Sequence, residues 1–218
     1  MGRTELSPQR LSQTKKTNIG HLIIFCEGKT EKFYFDYFAQ IINKNKYTDV
    51  KAEIETANGN AQTVLNFANS YMEQEENNRK YKDYGKYLAF DCDDPPDIQA
   101  VVTASQSDDK EYKLLISNYL FETWLLMHFE DVDAQLSKRE TYRRLSDHLR
   151  STYKKGHKGK TREILQNGDI EKAIDNARAL EVGYQTKGKN ILTAIKDMNP
   201  YTSVHQLIEQ FMVEISDR

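Results

Sequence analysis

The stretch "HLIIFCEGKTEKFYFDYF", His21 to Phe38, changes its hydrophobic period within a few residues, and no other feature constrains the fold as much. "HLIIFC" (21–26) is an unbroken apolar run between Gly20 and Gly28, the pattern of a strand buried on both faces. From Thr30 the period becomes helical, and the spacing predicts an inner face of Phe33, Tyr34, Tyr37, Phe38 and Ile41. A two-sided buried strand feeding straight into an amphipathic helix predicts a parallel sheet with helices on its faces. The theme recurs downstream. "VKAEIETA" (50–57) alternates as a second strand, and a helix from about Ala61 to Asn77 turns Val64, Leu65, Phe67, Ala68 and Tyr71 inward. "KYLAFD" (86–91) is a third strand that Pro95 and Pro96 cannot extend. "YKLLISN" (112–118) is a fourth, and "YLFETWLLMHF" (119–129) is an apolar helix entered from Asn118.

The expected fold is therefore α/β, with a parallel sheet of about four strands flanked by helices. Beyond Asp131 only helical patterns are expected, near 138–152, 169–182, 188–197 and 202–216. The expected organisation is a mobile arm over 1–19, an α/β domain over 20–130 and a helical region over 131–218 packed on it. Leu207, Ile208, Phe211, Met212 and Ile215 seal either the core or a homodimer interface. Thirteen Tyr and nine Phe favour real packing over disorder. No apolar run approaches ~20 residues, and "MGRTELSPQRLSQTKK" lacks the apolar centre of a signal peptide. Cys26 and Cys92 lack zinc-ligand spacing, so reduced thiols and a cytoplasmic protein without a membrane partner are expected.

Gly28-Lys29-Thr30 imitates the tail of a nucleotide-binding P-loop, but that loop needs a glycine where this chain has Ile23. The chemistry lies in the acids instead. Glu27 ends the first strand and Glu31 follows one helical turn on; as solvated carboxylates they would merely suit the helix dipole. "FDCDD", however, brings Asp91, Asp93 and Asp94 to the carboxyl end of the third strand, where open parallel sheets build their sites. Glu122 starts the helix after the fourth strand at the same edge, with Ser117 and Asn118 available to orient ligands or waters. Carboxylates gathered at one edge repel unless protonated or bound to a metal, and hard oxygen donors select Mg²⁺ or Mn²⁺. Asp94 reads rather as a turn residue before Pro95, and Trp124 and His128 read as core.

A strand–Glu–Gly-x-x-Glu–helix unit followed by a strand ending in Asp-x-Asp is similar to the Toprim domain of topoisomerases, primases and overcoming-lysogenization-defect nucleases. "FCEGKTEKFYF", "FDCDD" and "SNYLFETWLLMHF" together resemble the RloB family of restriction-linked proteins, related to abortive-infection proteins, over roughly residues 20 to 165. The resemblance implies a Rossmann-like Toprim sheet and a role in antiviral defence. It carries Glu27 over to the Toprim glutamate, Asp91 and Asp93 to the metal-binding Asp-x-Asp, and Glu31 to the second acid of the nuclease branch. Glu122 then matches an extra acid after a later strand. A companion ATPase or restriction-system protein is an implied partner.

From Lys138 to Arg162 ten cations face two acids, although the chain as a whole has a net charge of −2. This segregation predicts a polyanion-facing surface built from Arg139, Arg143, Arg144, Arg150, Lys158 and Lys160, with Lys29 at the neighbouring helix start. Arg139, Arg143 and Arg150 share one helical face, with Tyr142 and Tyr153 at hand for stacking; the alternative is a solvated helix and a flexible "KKGHKGKTRE" loop. Lys154, Lys155 or Lys160 could supply the cation that offsets charge on a reacting phosphate. The expected activity is metal-dependent phosphodiester hydrolysis of nucleic acid, RNA or tRNA ahead of DNA, because a small chain without an ATPase has no motor to scan duplex. The competing expectations are a non-catalytic binding module and a nucleotide-sensing effector that holds phosphate at Lys29 and Thr30.

Overall fold

The computed structural model describes residues 19–44, 46–54, 59–92, 98–106 and 111–216. In chain order the elements are β1 (His21–Cys26), α1 (Lys29–Ile42), β2 (Asp49–Ile54), α2 (Ala61–Glu73), α3 (Glu75–Tyr81), β3 (Gly85–Asp91), α4 (Ile98–Ser105), β4 (Lys113–Asn118) and α5 (Phe121–Met127). There follow α6 (Lys138–Leu149), α7 (Lys158–Asn167), α8 (Ile170–Gln185), α9 (Ile191–Ala194), β5 (Tyr201–Thr202) and α10 (Val204–Ser216). The expected mobile arm lies outside the described residues save for Ile19, whose N–H donates to Glu214 Oε2 at 3.2 Å.

The sheet runs β2-β1-β3-β4-β5. The first four strands are parallel, and β5 pairs antiparallel with β4 through Ser117–Thr202 and Asn118–Tyr201. Strands were not expected beyond Asp131; β5 is only two residues long, too short to show an alternation of its own. Its anchor is Ser203, whose Oγ accepts from Ile116 N–H at 2.9 Å and donates to the Leu114 carbonyl at 2.9 Å.

Alternation along β1 explains the two cores. Leu22, Ile24 and Cys26 face one layer with Tyr34, Phe35, Phe38, Trp124 and Leu207, whereas Ile23 and Phe25 face the other with Val64, Leu65, Val101 and Val102. The first layer draws on α1, α5, α6, α7, α8 and α10, so residues from both sides of Asp131 share one apolar cluster. Phe211 and Ile208 lie within it, fully buried.

Helix α1 is rotated relative to expectation. Its buried residues are Thr30, Glu31, Tyr34, Phe35, Phe38, Ala39 and Ile42, leaving Phe33, Tyr37 and Ile41 only half-buried. The "KKGHKGKTRE" segment is not a simple loop either, since α7 begins at Lys158 with His157 Nδ1 accepting from Lys160 N–H.

Candidate active site

Strand order places β1 between β2 and β3, so the chain leaves β1 toward one side and later returns to the other. A crevice opens at such a switch point, outside the carboxyl ends of the strands. Glu27 follows β1 there, and its N–H donates to the Ala89 carbonyl of β3 at 2.9 Å. Its side chain crosses to the same strand, where Glu27 Oε2 accepts from the backbone N–H of Asp91 at 3.0 Å. Asp91 is 1% exposed. Its Oδ1 accepts from Phe121 N–H, the first residue of α5, at 2.6 Å. A carboxylate is well placed at that helix start, where unpaired N–H groups face outward.

Glu31 and Glu122 complete the cluster from α1 and α5. Both are buried, Glu31 at 1% and Glu122 at 0% exposure. Glu122 Oε1 accepts from the Tyr153 hydroxyl at 2.9 Å. Glu122 Oε2 and both oxygens of Glu31 have no hydrogen-bond partner among the described residues. Gly28 lies directly against them: a Cβ there would stand 2.7 Å from Glu31 Oε2, so the Glu31 carboxyl would have to shift to admit one.

Among the described residues one cation, Lys155, enters this cluster. Lys155 Nζ lies 3.4 Å from Asp91 Oδ2, with a third of its side chain exposed and the aspartate fully covered. Burial opposes the lysine's charge, but Asp91, Glu122 and Glu31 outweigh it and push its pKa above the usual lysine range. Burial pushes Glu31 up to about 8; Lys155 opposes that shift, while Glu122 and Glu27 add to it. Tyr153 and Tyr142 are also driven upward, first by burial and then by Glu122, so both phenols stay protonated.

Two left-handed residues deliver Lys155. Arg150 ends α6 at φ 50°, and Gly156 turns the chain at φ 68°. Between them the chain is pinned by Tyr153 N–H donating to Ser146 Oγ at 2.9 Å and by Gly156 N–H donating to Thr30 Oγ1 at 2.8 Å. Thr30 is fully buried and its hydroxyl committed, so it does not present itself to a phosphate as the nucleotide-sensing expectation required.

Glu27, Glu31, Asp91 and Glu122 thus lie near this rim of the sheet, and Asp93 and Asp94 lie outside the described residues. Of the three candidate lysines only Lys155 reaches the cluster. Lys154 is exposed, and Lys160 bonds Glu163 Oε2 at 2.6 Å as well as Ser151 Oγ.

Several of the expected site residues have partners within the protein. Arg150 caps α6 and so does not continue the face of Arg139 and Arg143. Arg143 pairs with Glu140 and Asp147, and Arg144 with Glu130 and Glu140, all within or beside α6. Tyr142 and Tyr153 stack edge-to-face on each other at 5.2 Å with buried hydroxyls. Ser117 and Asn118 hold the β5 side of the sheet: Ser117 Oγ meets Thr202 Oγ1 at 3.3 Å and Asn118 Nδ2 donates to the Ile195 carbonyl at 2.7 Å. Lys29, Arg139 and Lys158 remain exposed.

Among the described residues no group of three or more His, Cys, Asp and Glu side chains is arranged to hold a metal ion. The donor chemistry nevertheless fits a hard divalent cation. Three buried carboxylate oxygens without donors, on Glu31 and Glu122, are the atoms such an ion would satisfy. No helix among the described residues is long and apolar enough to cross a membrane.

The family model described as RloB-like protein matches residues 22–211 of the chain. No curated protein and no solved structure matches it.

Proposed function

The chain belongs to the RloB family, and from that premise we propose that it is a divalent-metal-dependent phosphodiester hydrolase of nucleic acid that serves antiviral defence. One observation carries the proposal: Glu31 and Glu122 bury three carboxylate oxygens that have no donor among the described residues, at the carboxyl rim of the sheet. Leaving such groups unmet costs about 1–3 kcal/mol each, an expense difficult to justify in a purely structural core.

Glu31 and Glu122, with Glu27, Asp91 and Asp93, would hold Mg²⁺ or Mn²⁺. When bound, that cation supplies polarisation of the phosphoryl oxygen and a lowered pKa for its water. Lys155 faces the position where negative charge develops on the phosphate and is the cation proposed to stabilise it. Its charge is fixed by Asp91, so no proton need be gained or lost there during turnover. Glu27, half-buried at the rim and steadied by Asp91 N–H, is the candidate base for the attacking water. RNA, with tRNA in view, is the preferred substrate over DNA.

A non-catalytic module that binds nucleic acid or a restriction-system partner is the second reading. Lys155 favours it, because a resident ammonium already lets the acids coexist. Incubation with total tRNA, plasmid and single-stranded DNA, with Mn²⁺ or EDTA, separates the two. The proposal expects metal-dependent cleavage that falls by at least about a hundredfold in Asp91→Asn and Glu31→Gln, and by about 10²–10³ in Lys155→Met. Binding without cleavage, or cleavage that survives EDTA and both acid substitutions, overturns it. Millimolar Mn²⁺ should also raise the melting temperature, since a ligand of the folded state alone stabilises by mass action.

A further inference from the structure

We propose that the groove between α1 and α7 is a track for single-stranded nucleic acid leading to the acid cluster; its direction rests on the hydrolase reading, its existence does not. The groove encloses about 380 Å³. Phe33, Tyr37 and Ile41 line one wall, and Lys44, Lys158 and Arg162 supply its charge.

The rings are the first argument. They recur every four residues on α1, yet the helix turns Tyr34, Phe35, Phe38 and Ile42 into the core and leaves this second apolar stripe half-buried. A stripe of that kind beside a neighbouring helix is shaped to take a flat apolar face. The second argument is charge. Among the described residues three cations and no carboxylate line the groove. Lys44, Lys158 and Arg162 have no ion-pair partner among the described residues, whereas Arg143, Arg144 and Lys160 are each paired internally. Rings that accept any base face, flanked by cations that follow a backbone, form the sequence-tolerant chemistry of single-strand binding. A duplex hides those faces in its stack.

Position is the third. Gly156 precedes α7 closely and donates to Thr30 on α1, while Lys155 beside it meets Asp91. A Cβ on Gly156 would lie 3.4 Å from Lys29 Cβ, so the two elements converge at the cluster. Lys29, Phe33, Tyr37 and Ile41 then run away from it along one face, roughly 18 Å at 1.5 Å per residue.

The test is fluorescence anisotropy with labelled oligouridylate, oligothymidylate and a duplex of equal length, in EDTA so that cleavage does not interfere. Both single strands should bind more tightly than the duplex. The double variant Lys158→Glu/Arg162→Glu, at two exposed positions, should weaken binding at least about tenfold. It should also lower the slope of log affinity against log salt by about 1.4, two contacts at about 0.7 each. Tyr37→Leu should weaken binding about five- to a hundredfold with the salt slope unchanged, the mark of lost stacking. Equal or tighter duplex binding overturns the proposal, as does an unchanged slope in the double variant or unchanged affinity in Tyr37→Leu. Melting curves establish that each variant is folded before its affinity is read. Hydrolysis of bis(p-nitrophenyl) phosphate by the unaltered protein reads the acid cluster alone, so failure of the chemistry is distinguishable from failure of the groove.

Discussion

Glu31 shows how one side chain can be both costly and purposeful. Its carboxyl is pushed from 4.5 up to about 8 by burial, so between those values the folded state keeps a proton that the unfolded state releases. Stability must therefore fall as pH rises through that window. His128 acts in the opposite sense. Burial pushes it from 6.5 down to about 4, with Tyr34 Oη at 3.1 Å from Nε2 and the Trp124 carbonyl at 3.0 Å from Nδ1, so stability present above 6.5 is lost as pH falls toward 4. The two effects overlap in acid, and Glu31 stands alone from 6.5 to about 8. Urea unfolding across that interval should show declining stability in the unaltered chain and a flatter profile in Glu31→Gln. At its upper end the variant should be more stable by on the order of 1–3 kcal/mol. Parallel profiles would show that Glu31 does not hold the proton assigned to it.

At the scale of elements, the segment between α6 and α7 matters most, because it carries Lys155 into the acids. Its anchors are hydrogen bonds to other elements, and each can be removed singly. Thr30→Val deletes the acceptor of Gly156 N–H, and Tyr153→Phe deletes the donor to Glu122 Oε1. Thr30→Val leaves the half-buried Gly156 N–H unmet and Tyr153→Phe the buried Glu122 Oε1, so each should lower the unfolding free energy by about 1–3 kcal/mol in urea titration. Cleavage in Thr30→Val should fall further than folding does, since Lys155 loses its placement; equal losses would make the segment a structural strap alone. The helical pattern of α6 was legible from spacing, whereas the pairing of Arg143 and Arg144 with acids within or beside the helix was not. The end of α6 at Leu149 was not, because it depends on Arg150 adopting φ 50°, a conformation that residue type does not announce.

For the molecule as a whole, the C-terminal region completes the sheet. Ser203 bridges Leu114 and Ile116, and Leu207, Ile208 and Phe211 occupy the same core as β1. Ser203→Ala should cost about 1–3 kcal/mol in urea unfolding. Removal of residues 201–218 should abolish the cooperative transition and the near-ultraviolet circular dichroism of the aromatic core. A truncated chain that melts cooperatively would show that β1–β4 and their helices form a self-sufficient unit.

Periodicity along the chain determined the strands, their parallel order with intervening helices, and the arrival of Glu27, Asp91 and Glu122 at one edge. These follow because hydrophobic period and strand polarity are local properties. The tertiary structure alone decided which partner each acid meets. Lys155 lies 64 positions from Asp91, and nothing near either residue signals that ion pair. The same holds for the turn of α1 that leaves Phe33 and Tyr37 only half-buried, and for β5. In each case the outcome depends on which distant surface is available to bury a side chain or accept a hydrogen bond, a quantity that exists only once the chain has closed on itself.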